Sequence, residues 1–354
     1  MNALFIDFLV LGLAVLIVLK ISFYKSSKSF NKDYLSLQTS TMLKGLFALV
    51  VVYHHMSLGI TSGLLLRPFA FVGALAVSVF FFFSGYGLQK KYIVDETYSH
   101  QFLLRRLPTV LIPYIIVNFI FWLWRGANGT FYSLKYILRS LVNGSPFVDA
   151  SWYIICILLF YVVFYFLMRI CKRHYIWMIV GACLYNLIWI ICCYRLSYGN
   201  WWFDASHLLI VGMIWATWED KITEFLQKHY IVITSVASVA FLLLIYIKFS
   251  LDGILSGITE GIIIMITASH FVLIVNLLGL KFHIGNRILN YLGTISFEIY
   301  LIHYLFIAEL KKYISSEFLF CASVLICSII SAHLLHKFFG FILSKYKAML
   351  IRSK

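Results

Sequence analysis

The chain has 354 residues, of which 62% are hydrophobic and only 12% charged, about half the charged share of a soluble globular domain. With a mean hydropathy of +0.92, this excludes an ordinary soluble enzyme. The 29 Lys and Arg against 14 Asp and Glu give a net charge of +15, yet the bases punctuate apolar runs instead of lining one solvated face, which excludes a nucleic-acid binder.

A membrane-crossing helix needs about 20 mainly apolar residues. In chain order, such runs predict spans at about 3–24, 42–60, 69–90, 107–124, 152–170, 175–194, 206–218, 230–248, 258–280, 290–310 and 317–339. The seventh is the shortest. Continuous runs, and not alternating strands of roughly ten residues, mean helices. The expected fold is an all-α polytopic membrane protein of about eleven transmembrane helices. Its parts are an N-terminal helix and cytoplasmic linker (1–40), a ten-helix core (41–340) and a basic cytoplasmic tail (341–354).

The opening MNALFIDFLVLGLAVLIVLK lacks a basic n-region and a small-residue cleavage site, so it reads as a retained span and not a cleaved signal peptide. If that span runs from outside to inside, the outer connections collect Arg67, Arg125, Lys135, Arg139, Arg195, Lys248, Lys311 and Lys312. The other 21 of the 29 bases, Lys354 among them, then fall inside. This bias predicts a plasma (inner) membrane protein with its N-terminus outside and its C-terminus cytoplasmic. The seven cysteines lie in or beside apolar runs with no CxxC pair, and read as small hydrophobes.

Two outer connections carry features of their own. Residues 125–151 hold Asn128, Pro146 and Asp149 around FYSLKYILRSL, an amphipathic stretch suited to an interfacial helix. Residues 197–207, SYGNWWFDASH, place Trp201 and Trp202 either in an aromatic belt or on a platform for stacking sugar rings.

Ionisable groups inside spans are costly and mark wet or protein-lined interiors. The second span contains Lys44, His54 and His55. Eleven residues at 100° each bring His55 back to within about 20° of Lys44, roughly 16 Å along the axis, whereas His54 points about 80° away. An anchor at the inner surface and a packing histidine would explain each alone; both on one face favour a functional pair. In ISFEIYLIHYLF, Glu298 and His303 lie about 140° apart and Tyr300 shares the His303 face. These residues alone leave a buried network and catalysis equally open. Ser84, in FFFFSGYGL, lacks the strand-turn-helix setting of a nucleophile elbow and reads as a small polar contact.

Six segments, in order, resemble the acyltransferase-3 family of integral-membrane O-acyltransferases, the bacterial cell-surface glycan O-acetyltransferase type. They are Lys44 with His55; FFFFSGYGL with Ser84, Gly85 and Tyr86; FLLRRLPTVLIPY with Phe102, Arg105, Arg106, Pro113 and Tyr114; SWYIICILLFY with Trp152 and Tyr161; WWFDASHLLIVGM with Trp202, Ser206 and Gly212; and SFEIYLIH with Tyr300 and His303. They run over 42–339, which holds ten of the predicted spans. Two departures stand out. Lys44 replaces the usual Arg and keeps the charge without the bidentate fork, and Thr109 stands near where a further Arg is common.

The resemblance implies transfer of an acyl group, most often acetyl, from cytoplasmic acyl-CoA to a hydroxyl of a surface polysaccharide or lipid-linked sugar. Acetyl-CoA would be a donor substrate, with no permanently bound cofactor and no metal. His55 would act as general base or acyl carrier, with Lys44, Glu298 and His303 as further catalytic candidates. Lys44, Lys90, Lys91, Arg105 and Arg106 would meet the donor, although plain positive-inside placement also explains the last four. Trp152, Trp201, Trp202, Ser84 and Tyr86 would bind substrate. Expected partners are the acceptor, acyl-CoA, the bilayer and glycan assembly proteins. The spans alone also suit a transporter, flippase or polymerase for lipid-linked oligosaccharides, although inverted repeats and a large basic outer loop are missing.

Overall fold

A computed structural model describes residues 2–26, 28–60, 62–145, 147–251, 254, 257–284 and 286–352. Pro146 and Lys354, named above, lie outside the described residues. The architecture is all-helical apart from one short strand pair. In order, the elements are α1 (Asn2–Val18), β1 (Ile21–Phe23), α2 (Leu37–Ser57), α3 (Gly73–Val94), α4 (Phe102–Ala127), α5 (Leu134–Val142), α6 (Trp152–Cys171) and α7 (Tyr175–Arg195). The chain continues with α8 (Leu208–Thr217), α9 (Glu219–Lys228), α10 (Tyr230–Ser250), α11 (Gly257–Lys281), β2 (Phe282–Ile284), α12 (Arg287–Thr294), α13 (Ser296–Leu310) and α14 (Glu317–Arg352).

Among the described residues, six helices, α4, α6, α7, α10, α11 and α14, are long and apolar enough to cross a membrane. A seventh span results if α12 and α13, bent by 75° at Ile295, are taken together. The protein is therefore an all-α, multi-pass membrane protein. A count of eleven requires α1, α2, α3 and α8 to cross as well, and each coincides with a predicted span. Polar residues are tolerated in α2 and α3 because protein surrounds them: most of both helices is buried, Ser78 and Gln89 fully. No lipid needs to solvate those groups.

Helix α2 starts at Ser36, whose extended backbone lets its hydroxyl accept the Thr39 N–H. Two close glycine contacts fix the central packing. A Cβ at Gly85 would lie 1.8 Å from the Leu209 carbonyl oxygen, and one at Gly212 would lie 2.2 Å from that of Phe82, so α3 and α8 meet backbone to backbone. Gly45 and Gly293 do the same for α2 and α12, with 2.3 Å to the Leu289 oxygen and 1.9 Å to that of Thr41. Small residues that admit close approach are the usual means of helix packing in lipid.

The N-terminal region is knitted into the core. Strand β1 pairs antiparallel with β2, Ile21 opposite Ile284. Lys281 Nζ donates to the carbonyls of Ser26 and Ser29, each at 2.8 Å, and lies over the Phe30 ring. Asp7 is more than a span-end charge: its carboxylate accepts the N–H groups of Leu64 and Leu65 at 3.3 and 2.8 Å. The predicted interfacial helix corresponds to α5. Helix α14 runs to Arg352, so the tail after residue 340 is helical as far as it is described. All seven cysteines are free.

Candidate active site

Helix α2 places Lys44 near its start and His55 near its end, and a cavity opens at each. The first, about 290 Å³, is lined by Lys44 with Ser84 and Thr109, and by Tyr153, Tyr161, Thr294, Ser296 and Tyr300. The second, about 680 Å³, is lined by His54, His55, Asp149, Trp152, Trp201, Asp204, Lys248, Tyr300 and Tyr304 among others. Val77 and Tyr300 belong to both walls, so the two cavities meet back to back at these side chains.

His55 and His303 come together at this junction. His55 Nδ1 lies 2.7 Å from His303 Nε2, and the rings stack at 4.9 Å between centroids with 15° between their planes. His303 is fully buried, and its Nδ1 lies 3.1 Å from the Ile299 carbonyl. A carbonyl only accepts, so His303 Nδ1 carries hydrogen and donates to it. In a neutral ring Nε2 is then an acceptor, and His55 must donate to it from Nδ1–H. That leaves the lone pair of the pair on His55 Nε2, in a ring that lines the larger cavity. The backbone of α13 thus dictates the tautomer of a histidine on α2.

His54 points elsewhere, as the helical arithmetic requires. Its Nδ1–H donates to the Phe69 carbonyl at 2.8 Å, and its ring fills the space beside Gly73. It holds the α2–α3 connection against α2. Tyr304 packs on both His55 and His303, with ring centroids 4.5 and 5.1 Å away.

Lys44 has no ion-pair partner among the described residues, and its ammonium faces a cavity rich in hydroxyls. The other expected donor-side bases differ. Lys90 is held by Glu219 at 2.6 Å, and Lys91 pairs with Asp95 at 3.5 Å. The hydrogen bond from Thr97 and the Lys91 charge help hold the Asp95 carboxyl below its ordinary range. Arg105 is exposed and reaches Gln101, while Arg106 donates to the Tyr98 hydroxyl at 3.1 Å. None of these four bases lines either cavity.

The residues expected to contact substrate fall in different places. Trp202 is 1% exposed, packs on Tyr198 and Trp189, and donates to the Gly144 carbonyl, so it is core and no stacking platform. Trp201, 54% exposed, and Trp152 do line the larger cavity. Tyr86 donates to Glu219 and lines neither cavity. Ser84 lines the Lys44 cavity and donates to the Phe80 carbonyl of its own helix. Glu298 stands on α13 about 140° from His303, faces α14, pairs there with His336 at 3.0 Å and lines neither cavity.

A model of the acyltransferase domain matches residues 40–336. The chain belongs to the acyltransferase-3 family. No curated relative and no solved structure matches it. Family membership makes the protein a membrane acyltransferase, not the lipid-linked sugar transporter or polymerase that the spans alone left open. The matched region begins just ahead of Lys44 and ends at His336, so in this acyltransferase both cavities and the His55–His303 pair fall inside the family domain.

Sequence reasoning missed Asp204, Tyr304 and Glu219. Asp204 carried a signal, an acidic residue just after the aromatic run Trp201, Trp202 and Phe203. Glu219 carried none, because a carboxylate at the end of a span reads as solvated.

Proposed function

We propose that the protein is an O-acyltransferase that moves an acyl group, acetyl above all, from cytoplasmic acyl-CoA to a hydroxyl of a cell-surface polysaccharide or lipid-linked sugar. The observation that carries this reading is the free lone pair of His55 Nε2 at the wall of the larger cavity, fixed there by His303. An alcohol is a poor nucleophile at neutral pH and gains about 10²–10⁴ in rate from a positioned base. His55 Nε2 takes the proton of the acceptor hydroxyl as its oxygen attacks the thioester carbonyl. The tetrahedral centre then collapses, the C–S bond breaks, and the coenzyme A thiolate leaves with that proton available to it.

The two cavities supply the two substrate sides. Lys44, on the same face as His55 and about 16 Å along the helix, offers a positive charge to the anionic donor from the cytoplasmic end. The larger cavity, at the outer end of α2 in the orientation that the basic residues favour, receives the acceptor. Its volume falls in the range of about 300–1,000 Å³ usual for ligand sites. The test compares surface glycans from a deletion strain and a complemented strain by proton NMR, before and after mild alkali. Alkali-labile acyl signals present only in the complemented strain support the reading; identical acyl content in both contradicts it.

A further inference from the structure

The larger cavity contains a carboxyl group that proton transfer by His55 does not use. Asp204 lies in the turn between α7 and α8, is 3% exposed, and lines the cavity alongside His55. The turn is well anchored: the Asp204 N–H donates to the Asn200 carbonyl, and Ser206 bonds to Asn186. The Asp204 Oδ1 atom is buried without a hydrogen-bond partner among the described residues. Buried polar atoms nearly always find a partner, and those left over in native proteins call for an explanation. Neighbouring bases are engaged with other acids. Lys248, on the same wall, pairs with Glu260, and Arg125 lies 3.7 Å from Asp149.

Three residues before Asp204, Trp201 presents a half-exposed indole to the same cavity. An indole face takes the C–H side of a sugar ring, and a carboxyl takes its hydroxyls as donor or acceptor. We propose that Asp204 is an acceptor-positioning residue: it bonds one hydroxyl of the incoming sugar while Trp201 stacks on the ring, which presents another hydroxyl to His55 Nε2. This rests on the larger cavity being the acceptor side. Burial pushes the Asp204 carboxyl up to about 8, so at neutral pH it holds its proton and can both donate and accept.

The test measures acetyl transfer by the purified full chain in detergent, from radiolabelled acetyl-CoA to the surface glycan of the producing cells after removal of its acyl groups by mild alkali. Asp204→Leu, of similar size but without polar atoms, should raise the acceptor KM by about tenfold or more and leave the KM for acetyl-CoA within about twofold. Trp201→Ala, at an exposed side chain that folding does not need, should likewise raise the acceptor KM alone. An unchanged acceptor KM in both variants, with the wild type active, overturns this assignment and leaves the acyltransferase reading standing. An equal rise in both KM values points to general disruption and overturns it too. A wild-type chain that transfers nothing to this glycan overturns the assignment together with the proposed acceptor.

Discussion

Removing the acceptor that His303 offers to His55 should cost activity through the tautomer of His55 and not through folding. His303 Nε2 accepts the His55 Nδ1–H at 2.7 Å in a fully buried setting. In His303→Leu that N–H loses its partner, a penalty of about 1–3 kcal/mol. His55 escapes the penalty by moving its proton to Nε2, which is the wrong form for accepting a proton from the acyl acceptor. A bias of that size depletes the working tautomer by roughly 5- to 150-fold, and loss of ring orientation adds to it. In His303→Gln, Oε1 reaches the position of Nε2 and accepts the same N–H, so activity should stay within about tenfold of wild type. The assay is the initial rate of radiolabelled acetyl transfer per unit of monodisperse protein in detergent. Equal and severe loss in Gln and Leu would show that His303 acts through its own protonation. Full activity of the Leu variant would show that the tautomer is set elsewhere.

Three further outcomes follow from the same geometry. Lys44→Arg should keep most activity because the charge stays in its cavity, whereas Lys44→Gln should mainly raise the KM for acyl-CoA; equal severe loss in both would point to packing instead of charge. Glu298→Gln should leave transfer within about threefold while lowering the melting temperature, since the carboxylate pairs with His336 on α14 and lines neither cavity; abolished transfer in folded protein would contradict that placement. Asp204 holds its proton in the folded chain to about pH 8, against 3.8 for an ordinary aspartate. The unfolded chain therefore releases that proton first as pH rises. Wild-type stability should accordingly fall between about pH 4 and pH 8, by at most roughly 1.4 kcal/mol per unit, and level off above. Asp204→Asn lacks this loss, so its melting temperature should gain on wild type from pH 5 to pH 8; parallel profiles would refute the buried, protonated carboxyl.

The helices were legible because long apolar runs leave few alternatives in a membrane, and each predicted span coincides with a helix or with the bent pair α12–α13. The 75° break at Ile295 was not legible, since Gly293 and Thr294 interrupt a run that stays apolar overall. His55 was readable from its face shared with Lys44, and His303 as an ionisable residue inside a span. Their hydrogen bond was not, because 248 residues separate them and one sequence carries no distance information. The same limit hid the pairing of β1 with β2. Charge counts place Lys90 inside but cannot show that it sits against Glu219. Trp201 and Trp202 looked equivalent as neighbours, and only packing separates a cavity wall from a buried core ring.

The central claim is that His55 carries the chemistry while its neighbour His54 serves the fold. Glycan O-acylation per unit of membrane-extracted protein, measured for His55→Ala and His54→Ala at matched expression, tests it most directly. His55→Ala should lose about 10²-fold or more while staying in the membrane at near-normal levels, and His54→Ala, which gives up one bond to the Phe69 carbonyl, should keep measurable turnover. An active His55→Ala beside an inactive His54→Ala would contradict the account.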